Sequence, residues 1–489
     1  MKAVVIGAGF GGLASALRLR AKGYSVTLID RCNSPGGRAQ VFEKDGFIHD
    51  AGPTVLTAPF LIEELFELFG EKMSDHITLI PLKPWYRFVF SDGEHFDYGG
   101  SAEDTINEIS RIAPEDVAGY KSLLAHSERI FDIGFTKLAE RPFDSFLLML
   151  EQVPILLRLR SYRTVWQFVS SHLKNNKLKR AFSIQPLLVG GNPFDTTSIY
   201  SLIHFLEYSF GVFFAKGGTG AVVRALLALM ERHGVNIMMQ KTVSSLHIEN
   251  GQVLGVHIEN GDYIKADIFV SNADAPYLYS SMMPDLKLPF MTKTKLAHAH
   301  YSMGLFVLYF GTKRTYDDVA HHTIIMGDSY EELLKDIFHR KVLNDDFSLY
   351  LHRPTATDKS FAPPDCDSFY VLCPVPNLKA KIDWRQEGEN LQNKIISALS
   401  KSVLPGLEEN IVSSFYMTPE DFKDDYRSMF GAGFSIAPLF RQSAWFRFHN
   451  KAEGVKNLYL VGAGTHPGAG LPGVLSSAKV VDAMVERCR

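Results

Sequence analysis

The chain has 489 residues, a length that fits two or three domains or one large α/β body with an inserted unit. Its 51 Lys and Arg against 54 Asp and Glu leave a formal net charge of −3, which argues against a general nucleic-acid binder with its basic excess. With 46% hydrophobic and 21% charged residues it is neither disordered nor collagen-like, and its 35 Phe outnumber 19 Tyr and 4 Trp combined. The commonest aromatic therefore has no polar handle, which suits either a large core or an apolar ligand site.

Residues 2–30 predict one βαβ unit. Ala3-Val4-Val5-Ile6 is an apolar strand, and Gly7, Gly9 and Gly12 follow at G-x-G-x-x-G spacing. Leu13 to Lys22 reads as a helix closed by Gly23, and Val26 to Ile29 is a second strand ending in Asp30. Residues 60–70 and 102–140 are helix-like, and 143–170 form an apolar, basic stretch that Pro154 is expected to break. Aromatics crowd 199–214, and Lys216 to Gly220 makes a loop ahead of a helix from Ala221 to His233. Short strands are expected at 235–239, 243–248 and 253–258, with Asn250-Gly251 and Asn260-Gly261 as turns, then at 266–270. Later strands fall at 303–311, 347–352 and 368–374, followed by an amphipathic helix from Asn390 to Val403. The last unit is a strand at 458–461, a glycine loop, and a helix from Ser476 to Arg487.

The first glycine loop has the context of a dinucleotide site: strand before, helix after, and an acidic residue, Asp30, closing the next strand. Gly7 permits the tight turn, Gly9 lets a pyrophosphate approach the backbone, and Gly12 allows close helix–strand packing. The helix N-terminus offers free N–H groups and partial positive charge to phosphates. NAD and FAD share this fingerprint. Pro35-Gly36-Gly37-Arg38 adds a second close-approach loop with a fixed cation and resembles the two-dinucleotide-binding-domain flavoproteins. No second strand–G-x-G-x-x-G–helix unit is present, so one dinucleotide is expected, and it is assigned to FAD. The glycine-rich run from Gly462 to Val474 leads into a helix whose N-terminus suits the negative charge of a reduced flavin.

These motifs, with Asp50-Ala51-Gly52-Pro53-Thr54, Leu187 to Phe194, Gly217 to Ala221, Phe306 to Gly311, Phe347 to His352 and Gln442 to Arg447, resemble the bacterial-type phytoene desaturases nearly end to end. The resemblance implies an α/β fold: a Rossmann-like FAD-binding domain of the two-dinucleotide-binding type, a mixed β-sheet substrate domain and a helical lid or membrane subdomain. The expected FAD-binding parts are 1–80, 217–280 and 450–489; the substrate parts are 81–106 and 281–449; the helical part is 107–216. It further implies a single FAD that desaturates 15-cis-phytoene to neurosporene- or lycopene-type carotenoids, on a membrane surface, with oxygen or a quinone taking the electrons. Carried over by position, the FAD contacts are Gly7, Gly9, Gly12, Asp30, Gly37, Arg38, Val243, Gly464, Gly473 and Val474.

Desaturating a hydrocarbon removes a hydride and a proton from adjacent carbons, so an apolar tunnel beside the flavin is the main demand. The Phe excess suits such a tunnel. The helix that in relatives often carries Arg, Asp and Arg here holds Leu147, Leu148 and Glu151; Glu151 is a weak acid–base candidate, more readily a solvated helix-face residue, and a reaction run chiefly by positioning and flavin electronics is the expectation. His466 lies in the flavin loop, in an orienting or purely structural role. No metal site is expected from His321-His322 or His298-x-His300, which lack a carboxylate cluster in sequence. Four scattered cysteines predict no disulfide framework and fit a reducing compartment. The glycine loop begins too early for a signal peptide, and no run of about 18 apolar residues predicts a spanning helix. Phe143, Phe146, Leu147, Leu150 and Ile155 to Leu159 beside Arg158, Arg160 and Arg163 read as an interfacial helix on anionic lipid or as a lid. Peripheral attachment at the cytoplasmic face is expected, and a homo-oligomer is compatible with the sequence. A C30 diapophytoene desaturase, an FAD carotenoid isomerase and a non-catalytic isoprenoid escort on the same fold remain alternatives, with amine or porphyrinogen oxidases fitting the motifs less well.

Overall fold

The computed structural model describes residues 1–143, 146–284 and 286–488, with only the backbone at 146–148. Two large sheets organise it. In the parallel one, Lys2–Ile6 lies between Ser25–Ile29 and Ile268–Ser271, with Asn236–Met238 and Leu458–Leu460 at the edges. The unbroken apolar run at 3–6 follows from cover on both faces. Ala3 and Val5 pack under helices Phe10–Ala21 and Leu471–Met484, while Val4 and Ile6 face the three-stranded antiparallel sheet 243–265.

The second sheet has seven strands in the order 411–417, 304–312, 367–375, 349–352, 322–325, 86–89, 95–98, antiparallel except where 322–325 meets 86–89. Its strand Gly304–Thr312 is buried throughout and alternates strictly. Phe306, Leu308 and Phe310 pack beneath helix Trp384–Lys401, while Leu305, Val307 and Tyr309 face helices drawn from 102–210.

Most expected elements are present, with shifted ends. Helices begin at Gly218 and Leu471 rather than at Ala221 and Ser476. Left-handed or open glycines, Gly217 (φ 80°) and Gly470 (φ 91°), act as their N-caps, so the glycine stretches read as loop are partly first helical turns. The helix Phe146–Arg158 runs through Pro154, and the expected break does not occur. Packing of Met149 and Leu156 along one side holds it across the missing N–H. Asn250 (φ 49°) and Gly251 (φ 72°) form the expected tight hairpin.

The parallel strands end where four glycines meet one side chain. A Cβ on Gly7 would lie 3.3 Å from the Cβ of Asn272, on Gly9 2.7 Å from its Oδ1, on Gly11 2.9 Å and on Gly462 2.4 Å from its Nδ2. Gly12 is tighter still, since a Cβ there would stand 1.8 Å from the carbonyl oxygen of Gly7. Gly12→Ala is therefore expected to cost about 1–3 kcal/mol through overpacking. A denaturant titration of the flavin-free protein measures it, and an unchanged midpoint contradicts the packing account.

Candidate active site

A cavity of about 580 Å³ runs from the carboxyl ends of the parallel strands, between the two sheets, to the helical part. Gly7, Gly9, Asp30, Gly37, Arg38, Val243, Gly464, Gly473 and Val474 all line it; Gly12 is not among the lining residues and acts through packing.

At the nucleotide end, Asp30 accepts hydrogen bonds from the amides of Ala8 (2.6 Å) and Cys32 (2.7 Å), which fix its carboxylate at the strand end. Its carbonyl accepts from the Lys241 amide at 2.9 Å and so brings the start of strand Val243–Glu249 beside it. The helix at Phe10 has no side-chain cap and no acidic residue in its first turn, leaving its N–H groups open. Gly36 (φ 118°) and Gly37 (φ 59°) fold the second glycine loop onto the first, where a Gly37 Cβ would lie 3.1 Å from the Cα of Gly9.

Arg38 is a half-buried cation of this end. It donates to Ser428 Oγ at 3.0 Å and lies near Asp274, while its Nε has no partner; the Nε atoms of Arg31 and Arg427, also on the lining, have none either. Burial lowers the pKa of Arg38 and raises that of Asp274. Asp274 in turn accepts from the Met429 amide at 2.9 Å and from Ser435. Open helix ends, a glycine floor and unpartnered guanidinium N–H groups fit a dianionic pyrophosphate.

The C-terminal glycine loop, Gly462 to Val474, is held from behind. Arg447, buried, donates to the carbonyls of Ala463 (2.6 Å) and Thr465 (2.9 Å) in the loop and of Ile436 and Gln442 (both 3.2 Å) outside it. His466 is kept neutral by burial, its pKa lowered to about 4, and its Nε2 bonds the Leu138 carbonyl at 3.1 Å. That bond ties the loop to the helical part; Nδ1 is unpartnered.

Away from this end the walls are apolar: Leu187, Leu188, Val189, Leu206, Leu305 and Val307. The expectation of a Phe-lined tunnel is corrected. Among the described side chains, Phe10, Phe135, Phe143, Phe422, Phe434 and Phe440 are the phenylalanines that line it, whereas Phe66, Phe88, Phe96, Phe168, Phe182, Phe214 and Phe269 are among the largest fully buried side chains. Large flat rings fill the core; branched aliphatics shape the cavity.

Glu151 is exposed and absent from the lining, as a solvated helix-face residue would be, although Met149, Gln152 and Leu156 of the same helix line it. Among the described residues, the carboxylate that faces the apolar part is Glu207, on helix Leu202–Phe210, which motif reasoning missed. Its only signal in the sequence is an acidic residue inside an aromatic helix. Beyond its partner Tyr86, whose ring lies 5.9 Å from that of His322, is a polar island: Thr54 Oγ1 bonds the hydroxyls of Tyr370 (2.6 Å) and Tyr350 (3.0 Å), and Tyr350 bonds His322 Nδ1 at 2.7 Å. His321, His322 and His352, buried, bring ring nitrogens within 4.8 Å of one another. Burial holds all three neutral, and His321 bonds His352 (3.1 Å) and Thr357 (2.7 Å).

Residues 10–481 match the family of flavin containing amine oxidoreductases. A lycopene-forming phytoene desaturase of Pseudescherichia vulneris is 45% identical over 485 residues, 99% of each chain. A neurosporene-forming phytoene desaturase of Cereibacter sphaeroides is 41% identical over 98% of this chain and 93% of its own. An oxidoreductase from Methanosarcina mazei shares the fold, with a TM-score of 0.67 at 16% identity over 99% of this chain and all of the other. With a glycine cradle that suits a dinucleotide and relatives matched over nearly their whole length, the chain belongs to the flavin containing amine oxidoreductases, in their phytoene desaturase group, and is an FAD-dependent oxidoreductase.

Proposed function

We propose that this enzyme introduces double bonds into 15-cis-phytoene, giving neurosporene- and lycopene-type products. The observation that carries the reading is one cavity that joins a glycine-lined, cationic nucleotide end to an apolar end. Bound FAD supplies the hydride acceptor. The chain supplies the rest. Asp30 is placed to bond the adenosine ribose, the open helix end at Phe10 and Arg38 to hold the pyrophosphate, and the loop fixed by Arg447 to seat the ring. Val243, beside Asp30, is placed to hold the adenine by its backbone, and Gly464, Gly473 and Val474 to lie along the ring. Stretches 1–80, 217–280 and 450–489 then act as one FAD unit around the parallel sheet.

The aliphatic wall binds a hydrocarbon by burial alone, at about 25 cal/mol per Å² of apolar surface removed from water. It also excludes water from the reacting carbons. Access is proposed through helix Phe146–Arg158, whose Met149 and Leu156 line the cavity while Leu150 (49% exposed) and Leu157 (58% exposed) face outward. No helix among the described residues is long and apolar enough to cross a membrane. Peripheral docking on the cytoplasmic face therefore rests on this helix, with its side chains Phe146 and Leu147 lying outside those described. Oxygen or a quinone is the proposed electron acceptor.

Holoenzyme in liposomes containing phytoene is expected to form conjugated carotenoids under oxygen or added quinone. No conjugated product under either acceptor overturns the proposal; isomerised phytoene alone supports an isomerase, and turnover only of C30 diapophytoene supports the shorter substrate. Asp30→Ala is expected to weaken FAD binding at least about tenfold, the loss of one or two charge-assisted hydrogen bonds. Flavin fluorescence titration checks it, and unchanged affinity removes Asp30 from the site. Leu150→Glu with Leu157→Glu is expected to reduce flotation with liposomes while flavin content is kept. Undiminished flotation moves the docking face elsewhere.

A further inference from the structure

Among the described residues, four carboxylates line the cavity. Asp274 and Asp425 lie near Arg38 and Arg31, and Asp30 is held by backbone amides. Glu207 is the fourth, and among the described residues it alone lies in the apolar part with no cation beside it.

Its partners are all neutral donors. Tyr86, also on the cavity wall, donates to Glu207 Oε1 at 2.8 Å; Tyr98 donates to Oε2 at 3.4 Å; the side chain of Gln185 adds a third bond. The polar and titratable groups facing it are Tyr86 and Tyr98 from adjacent strands of the mixed sheet, Tyr120 from helix Val117–Ile133, and Gln185. On its own helix His204 is buried and neutral, its pKa lowered to about 3.

Three donors turned toward one carboxyl stabilise its anion, but an anion buried without a cation is costly, so the site holds both protonation states within reach of each other. Burial, only partly offset by the three bonds, raises the pKa of Glu207 to about 7. A group so poised, at the wall where a hydrocarbon would lie, is suited to general-base work near neutral pH.

We propose that Glu207 is the general base of the desaturation, held by Tyr86 as its positioning residue. This rests on the desaturase reading. One C–H bond of the substrate breaks and its proton forms an O–H bond on Glu207, while the electron pair left behind becomes the π bond. The adjacent C–H pair departs as the hydride that the bound flavin accepts. The acceptor that reoxidises the flavin takes up two electrons and consumes the proton, which returns Glu207 to its anion.

Two readouts test this. In the substrate-free holoenzyme, infrared difference titration is expected to show a protonated-carboxyl band that disappears near pH 7 and is missing in Glu207→Gln. In phytoene liposomes, Glu207→Gln is expected to lose about 100-fold or more in rate, with flavin content kept, and Glu207→Asp to recover part of it. The wild-type rate is expected to rise with pH through the same region. Glu207→Gln at more than a tenth of the wild-type rate, with an unchanged pH profile, overturns the proposal. Should Glu207→Gln fail to fold, Tyr86→Phe decides: losing a donor, it must move the rising limb to higher pH, and an unmoved limb overturns the proposal. A wild-type enzyme that makes no product fails the desaturase reading instead, and the carboxyl titration, read without substrate, separates the two failures.

Discussion

The site depends on an absence of side chains where strands from three distant stretches end. Gly7, Gly9, Gly11 and Gly462 surround Asn272, whose amide occupies the space their Cβ atoms would take and donates to the Val461 carbonyl at 3.3 Å. One polar side chain thus joins the ends of strands Lys2–Ile6, Ile268–Ser271 and Leu458–Leu460 while leaving the adjoining backbone bare. A bare backbone at helix N-termini presents N–H groups with no competing side chain, and a phosphate chain can reach them. Packing and binding are here the same constraint: each glycine that allows the crossing also opens the floor of the cavity.

The same crossing creates a polarity gradient along the cavity. Arg31, Arg38 and Arg427 gather at one end, and aliphatic side chains line the other. Burying Arg38 and Arg447 carries a desolvation cost that hydrogen bonds and the nearby Asp274 partly offset. Arg447 meets it with four backbone carbonyls and no carboxylate, so its bonds fasten the glycine loop to the segment 436–442 without placing a negative charge where a flavin ring would sit. The physics that keeps His466 neutral also pushes Glu207 upward: water is excluded, and whichever form carries charge is penalised.

How much of this was legible in the sequence follows from the range of each interaction. The nucleotide end is local. Gly7 to Gly12, Asp30 and Gly36 to Arg38 lie within forty residues, and their spacing encodes a turn, a helix start and a strand end. The family motifs extended that reading to Val243 and the loop at 464–474. What stayed hidden is non-local. Tyr86 and Glu207 are brought together by a strand and a helix 121 positions apart, and nothing near either predicts the other. Glu151 drew notice only because it stands in the segment where relatives carry charged residues; Gln152 beside it lines the cavity, but a helix turns about 100° per residue and carries Glu151 outward. Counting Phe could not tell core from cavity, since both are apolar.

The outward turn of that helix bears on how a hydrocarbon reaches the site. Leu150, Val153 and Leu157 are exposed on the helix whose Met149, Gln152 and Leu156 line the cavity, and Phe440, also exposed, lines the cavity itself. Apolar side chains left in water are unfavourable by up to about 1.5–3 kcal/mol each relative to burial, so such a cluster at a cavity rim marks a surface meant to be covered. A bilayer covers it in the proposed reading. A substrate passing from acyl chains to Phe440 and Leu156 then exchanges one apolar environment for another without crossing water. Transfer is close to neutral in free energy, and the aliphatic wall has only to orient the chain, since it need not extract it from water.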